Sequence, residues 1–453
     1  MFRFCSRKFF LHFLSSLLII IITLLASTAH AQKKLYSTRN KASIKHYEEA
    51  TKFYDVHNNT EAEKYLWNAI DKDTAFIEAY MLLASVYADM DNYEKGIEMY
   101  QRAIALNPEF FPNNYYSMAK FEFIIGRYAD AKVHFEKFLS YPNTYTELRT
   151  KAQRDLQNCV FSLEAVQHPV EFNPVNLGRG VNSSDDEYYP SLTVDNQTLV
   201  FTRNIGSGEL SSRAQEDFFM SNNEGGIWGM AYNAGAPLNS SLNEGAPSIS
   251  ADGKLLFFAA CDRSTGLGSC DIYLSRFVNG HWSQPSNLGF PLNSADWETQ
   301  PSFSSDGKEL YFIKGFTSRE GIHHSDIYVS KLGNDGRFQN PVPLSKIINT
   351  EGEEESVFIH PDCKTLYFSS NGHPGLGGLD IYMSRRDENG EWQKPVNLGY
   401  PINSNNDENS LLVSPDGQTA YYASDRKGGL GRLELYSFKL AEHLDRKSTR
   451  LNS

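Results

Sequence analysis

The chain has 453 residues, 40% of them hydrophobic and 13% aromatic, with 29 Phe and 25 Tyr. That composition excludes a disordered chain, and the length exceeds one ordinary core, so two or three domains are expected. The formal net charge of −12 makes nucleic acid a poor partner, because its binding rests on neutralising phosphates.

The first 31 residues read as an export signal. Arg3, Arg7 and Lys8 form a positive start, Phe13 to Leu25 is an apolar run, and Ala29-His30-Ala31 is a small-x-small cleavage site that puts the mature start at Gln32. An uncleaved anchor is the alternative, but the run is short for a membrane span. No Cys follows the cleavage site, so a lipid anchor is not indicated, and Cys5 lies in the positive region. Without this basic leader the remainder is still more acidic, which suits a soluble periplasmic protein. At the other end, Asp445 to Ser453 has no apolar periodicity and matches what a widely used sequencing adapter encodes. It is read as an artefact, with the gene truncated near Leu444.

From residue 41 to 167 the apolar period is helical. In Ile77 to Phe110, Tyr80, Leu83, Ala84 and Tyr87 lie on one face of a first helix. Asn92-Tyr93 marks a turn, and Gly96, Tyr100 and Ala103 lie on one face of a second helix that ends at Asn107-Pro108. Small residues at Ala84 and Gly96 allow close approach. This pattern resembles the tetratricopeptide repeat, a helix pair of about 34 residues. Counting back gives Ala50, Phe53, Ala62, Leu66 and Ala69; counting forward gives Tyr115, Met118, Ala119, Tyr128, Ala131 and Phe135. The first unit departs from the pattern at His46 and Glu49. Glu147 to Ala165 reads as a capping helix. Such a stack either presents a concave surface to a protein partner or acts as a spacer.

From residue 169 to 440 the period is two. Asp195, Asp252, Asp306, Asp362 and Asp416 recur at near-constant spacing, most followed by Gly or Asn, each between two short apolar runs. Each reads as a tight Asp-Gly hairpin. A third strand recurs at Asp217-Phe218-Phe219, Asp271-Ile272-Tyr273, Asp326-Ile327-Tyr328, Asp380-Ile381-Tyr382 and Glu434-Leu435-Tyr436. A fourth runs from Trp282 to Leu288 and from Trp392 to Leu398, with looser copies at Phe338 and Trp228. Four strands per unit, repeated about an axis, make a β-propeller. The last unit lacks its fourth strand, and Pro174-x-Asn176-Leu177-Gly178 supplies it from the start, closing a ring of five blades.

Every copy carries a Glu before the hairpin: Glu187, Glu244, Glu298, Glu354 and Glu408. Residues symmetric about the turn are Arg203, Arg263, Lys314, Asn371 and Arg426. Four structural ion pairs are therefore expected: Glu187–Arg203, Glu244–Arg263, Glu298–Lys314 and Glu408–Arg426. The fourth copy breaks the rule, so Glu353, Glu354 and Glu355 with Asn371 are the candidates for binding a cation or a basic partner. Cys261 ends one expected strand and Cys270 begins the next, making them candidates for a disulfide in an exported protein. Cys159 and Cys363 read as a buried helix residue and a turn residue.

The Gly-rich stretches at Gly266, Gly375 and Gly428 lie between strands and read as turns rather than phosphate loops. His323-His324 has no companion ligands. Neither a Gly-x-Ser-x-Gly elbow nor a His-Glu-x-x-His helix occurs. No cofactor and no enzymatic activity are expected.

The strand units, with Pro-Ser-x-Ser-x-Asp-Gly-Lys and Asp-Ile-Tyr-x-Ser, resemble the WD40-like propeller repeats called PD40 of TolB-like periplasmic proteins. In this domain order the chain resembles the OmpA-family envelope proteins of Bacteroidetes, which include the accessory component PorE of the type IX secretion system. The resemblance implies a multi-domain protein, a helical solenoid followed by an all-β five-bladed propeller. It also implies a periplasmic scaffold that contacts envelope proteins through both surfaces. An OmpA-like domain following the array would bind peptidoglycan. The alternative is a carbohydrate-binding or carbohydrate-active propeller, which would need carboxylates that differ between blades.

Overall fold

The computed structural model describes residues 35–142, 144–207, 214–318, 321–424 and 429–440. The expected leader (1–31), the tail (445–453) and Arg426 lie outside them. The chain divides into two compact units, a helical one ending at Gln167 and a strand-rich one beginning at His168.

Seven helices are described in the first unit: α1 Lys41–Asp55, α2 Asn59–Lys72, α3 Ile77–Asp89, α4 Tyr93–Leu106, α5 Asn113–Ile124, α6 Tyr128–Leu139 and α7 Thr146–Gln167. Each packs on the next. Asn40, Asn58 and Asn92 start three of them, each accepting a backbone N–H of the first turn. Close approach is real at Gly96, where a Cβ would stand 3.3 Å from the Ala84 carbonyl oxygen and 2.9 Å from the Phe121 ring. Ala50, Ala62, Leu66 and Ala69 are fully buried, so the first helix pair packs like the others. It does so with His46 turned against the Tyr65 ring and Glu49 paired outward with Lys52. Cys159 is buried in α7. None of the described helices is long and apolar enough to cross a membrane.

The strand-rich unit consists of antiparallel three-stranded cores, one per repeat, with a two-residue strand added outside. The first strands are Asp186–Leu192, Glu244–Ile249, Trp297–Phe303, Glu354–Ile359 and Asn409–Val413. They touch in a closed cycle, each meeting the next and the fifth meeting the first. Val175–Asn176 pairs with the last strand, Glu434–Lys439, so the start of this unit completes its final sheet. Aromatic and aliphatic side chains from neighbouring repeats fill the seams, as with Val200, Phe218, Leu256 and Phe258.

Two local expectations are corrected. The Asp-Gly turn is wider than a two-residue hairpin. The Ser250 N–H reaches the Leu255 carbonyl and the Gly253 N–H reaches that of Ser250. Positive φ occurs only after the Asp, at Asn196, Gly253, Gly307, Cys363 and Gly417. The Asp instead organises the loop: Asp252 accepts the Ser250 hydroxyl at 2.6 Å and the Lys254 N–H at 3.1 Å. The fourth strand is also shorter than the Trp-to-Leu run. It covers two residues such as Ser286–Asn287, while Trp282 pairs separately with the far end of the third strand.

Candidate functional site

The repeated glutamates are the natural place to look for chemistry, and each is held by a local hook. The residue four before it gives both its backbone N–H and its hydroxyl to the carboxylate. Ser183 does this for Glu187, Ser240 for Glu244, Ser294 for Glu298, Thr350 for Glu354 and Ser404 for Glu408. The Asn just before the hook clamps the third strand. Asn293 accepts the Ile272 N–H and donates to the Ile272 carbonyl. Asn239, Asn349 and Asn403 do the same in their repeats. Asn182 reaches across the chain to Leu435. This Asn-Ser/Thr-x-x-x-Glu motif is present five times in the sequence, but it lies in the loop before each first strand, where neither the apolar alternation nor the turn chemistry marks it.

The expected counter-charges appear in three repeats. Arg203 Nε lies 2.7 Å from Glu187 and Arg263 Nη2 lies 2.7 Å from Glu244. Lys314 Nζ lies 2.9 Å from Glu298 and 3.1 Å from Asp296. The three glutamates are 0% exposed, while their basic partners keep a small exposed edge, so the carboxylates are the desolvated half of each pair. Burial still dominates at Glu187, pushing its carboxyl up to about 7 against the bonds from Ser183 and Arg203. The register corrects the symmetry argument. Glu187 faces Arg203 and Glu298 faces Lys314, but Glu244 faces Ala260 and Glu354 faces Ser370. Arg263 reaches back from three residues beyond its register position. Arg426, the expected partner of Glu408, lies outside the described residues. Burial pushes Glu408 up to about 8.

The fourth repeat divides its acids. Ser370 donates to Glu354 at 2.8 Å, in place of a cation. Asn371 is a loop tie: its side chain accepts the Glu353 N–H and donates to the Glu353 carboxylate. Burial, with Glu353 and Asp407 nearby, pushes Glu355 up to about 8. Among the described residues no group of three or more His, Cys, Asp or Glu side chains is placed to hold a metal ion. His324 Nε2 lies 3.6 Å from Asp326.

The Gly-rich stretches wrap the third-strand acids. Asp271 accepts the N–H groups of Leu267 and Gly268, and Asp380 those of Leu376 and Gly377. A Cβ at Gly266 would stand 2.6 Å from the Asp271 carboxylate. Cys261 and Cys270 are joined as a disulfide, and Cys363 is a half-buried free thiol in a turn.

The first strands surround a cavity of about 80 Å³. Each strand bulges there. Tyr189, Ala246, Gln300, Ser356 and Ser410 all have φ between 49° and 59°, a left-handed conformation that side chains seldom adopt. The register shifts at each of these residues. The space is crossed by hydrogen bonds: Gln300 donates to the Tyr189 hydroxyl at 2.7 Å and accepts the Ser356 N–H. Neighbouring repeats are tied by Ser191, Ser248 and Ser302, which accept the N–H groups of Ile249, Phe303 and Ile359, each at 3.0 Å. The Pro-Ser of the repeat motif is thus an inter-repeat tie.

The tetratricopeptide repeat family model matches residues 77–110, so the helical unit carries that repeat. No curated protein matches the chain. Solved structures similar to it include the first tetratricopeptide domain of Spaghetti (RPAP3) bound to the HSP90 peptide SRMEEVD, at 19% identity over 28% of this chain and 98% of that one, TM-score 0.25. The Yersinia enterocolitica type III secretion chaperone SycD with a peptide of the translocator YopD matches at 16% identity over 26% and 93%, TM-score 0.25. The Sgt2 tetratricopeptide domain from Aspergillus fumigatus matches at 18% identity over 29% and 85%, TM-score 0.26.

Proposed function

We propose that this chain is a non-enzymatic interaction scaffold of the cell envelope, exported to the periplasm. Its strand-rich unit is read as a five-bladed PD40-type propeller. The support is the cyclic contact of the five first strands and the pairing of Val175–Asn176 with the final strand. Its tetratricopeptide repeat implies a platform for protein contacts. The leader-like start and the Cys261–Cys270 disulfide favour an oxidising compartment. In this reading the chain links an outer-membrane or type IX secretion assembly to peptidoglycan, through an OmpA-like domain of the kind the resemblance places after such an array.

One observation carries the non-catalytic reading. All five repeat glutamates bind their own Ser or Thr hook in the same geometry, whereas acid and base roles require carboxylates in different environments. The test combines two assays on the purified chain. Photo-crosslinkers at exposed positions of the helical unit, such as Glu48, should capture one defined envelope protein, and a glycan panel should remain unhydrolysed. Turnover of any glycan, or crosslinking no different from that of an unrelated protein, overturns the reading.

A further inference from the structure

The cavity inside the five first strands has an apolar wall and a polar end. The residue after each bulge lines the wall and is apolar in all five repeats: Pro190, Pro247, Pro301, Val357 and Leu411. The bulge residues differ, and three of them meet at one end. There Gln300 donates to the Tyr189 hydroxyl and accepts the Ser356 N–H. Ser356 is only 5% exposed, and its hydroxyl has no hydrogen-bond partner. The Tyr189 hydroxyl is close enough to feel it, but no hydrogen bond of normal geometry forms. At the other end Val194, Ala251, Ser305, Pro361 and Pro415 lead to the Asp turns. None of these is buried, and Val194 is 43% exposed, so the cavity opens there. Among the described residues no Lys, Arg or His lines it. Carboxyls stand near the polar end instead: burial, then Glu355 and Glu216, push the Tyr189 hydroxyl well above its ordinary value. Burial pushes both carboxyls up to about 8, so each gains by ionising beside a cation.

We propose that this cavity receives a lysine side chain of a partner protein, with its methylenes along the apolar wall and its ammonium group at the Ser356 and Tyr189 hydroxyls. A lysine stem lies readily on apolar surface when its head meets polar groups. A single water needs about 10–15 Å³, so 80 Å³ has room for a slender chain of roughly five heavy atoms, the run from Cβ to Nζ. The ammonium group brings three donors and no acceptor. Ser356 and Tyr189 offer hydroxyl lone pairs, and so does Ser410, whose own proton goes to Asn409. An arginine fork carries five donors in a fixed plane and would leave several unpaired here. An anion would meet the two carboxyls with no cation to balance it. The choice of a protein as the source of the lysine rests on the scaffold reading. The test below reads the cavity itself, so its failure leaves the crosslinking result of that reading untouched.

Titrating the full chain with n-butylammonium and with 1-butanol, followed by ligand-observed NMR at physiological ionic strength, tests this. The amine should bind about tenfold more tightly than the alcohol. A capped Gly-Lys-Gly peptide should bind too, and its Nε-acetyl form should not. Ser356→Ala should weaken amine binding by about tenfold while leaving the urea midpoint unchanged or higher, because the hydroxyl it removes has no partner in the free protein. Tyr189→Phe should weaken it as well. An amine that binds no more tightly than the alcohol, undiminished binding in the folded variants, or binding of the amine without the lysine peptide overturns the proposal.

Discussion

Ser240 shows how little freedom the repeated acids have. Its N–H and hydroxyl both bind Glu244, at 2.9 and 2.6 Å, and Glu244 is completely buried. A hydrogen bond to a buried charge is worth about 1.5–3 kcal/mol. Ser240→Ala should therefore lower unfolding stability by about that amount in a urea titration, and Ser240→Thr should restore most of it, as Thr350 does naturally in the fourth repeat. A loss no larger than that of an exposed Ser→Ala change would remove the hook from the account.

At the scale of elements, the strand-rich unit is closed by small pieces of chain. Val175–Asn176 pairs with Glu434–Lys439, and Asn182 makes two bonds to Leu435, at 2.9 Å each. Asn293 makes the same two bonds between neighbouring repeats. Either Asn→Ala change removes both, leaving buried backbone groups unpaired, at about 1–3 kcal/mol. Only Asn182→Ala weakens the closure itself and loosens the edge of the final strand, an invitation to intermolecular pairing. Light scattering on heating should show earlier aggregation for Asn182→Ala than for Asn293→Ala at matched stability. Identical aggregation would mean that closure does not depend on this clamp.

For the whole molecule, burial raises several carboxyls in the strand-rich unit: Glu187 and Asp380 to about 7, and Glu216, Glu355 and Glu408 to about 8. A raised folded-state value means the folded chain keeps protons that the unfolded chain has released. That contribution is full below the unfolded values and is lost as pH rises through about 7–8. The urea midpoint of this unit should accordingly be higher at pH 5.5 than at pH 8.5. A midpoint that rises steadily to pH 8.5 would contradict the buried-carboxyl account.

Much of this was legible in the sequence because repetition exposes geometry. Five copies of an acid before a hairpin located the inner strands, and a helical period with Ala84 and Gly96 located the close-packed helix pair. The ion-pair partners were only partly legible. The wider turn and the bulge at Tyr189, Ala246, Gln300, Ser356 and Ser410 recur in every repeat, and the register partner stands sixteen residues after the Glu each time: Arg203, Ala260, Lys314 and Ser370. Arg203 and Lys314 fit that offset, whereas Arg263 and Asn371 lie beyond it, and Arg263 reaches back only through its long side chain. That His373 stands where Arg263 stands, three residues beyond the register position, needs the strand register to be seen.

The central claim is that the repeated acids hold the fold together instead of performing chemistry. A double-mutant cycle on Glu244 and Arg263, read by urea unfolding, tests it most directly. Arg263→Ala alone strands a buried carboxylate and should cost about 3–5 kcal/mol, whereas replacing both by apolar residues should be far less damaging. A coupling energy above about 1.5 kcal/mol is the predicted result. A coupling near zero, with both single variants as stable as the parent, would contradict it.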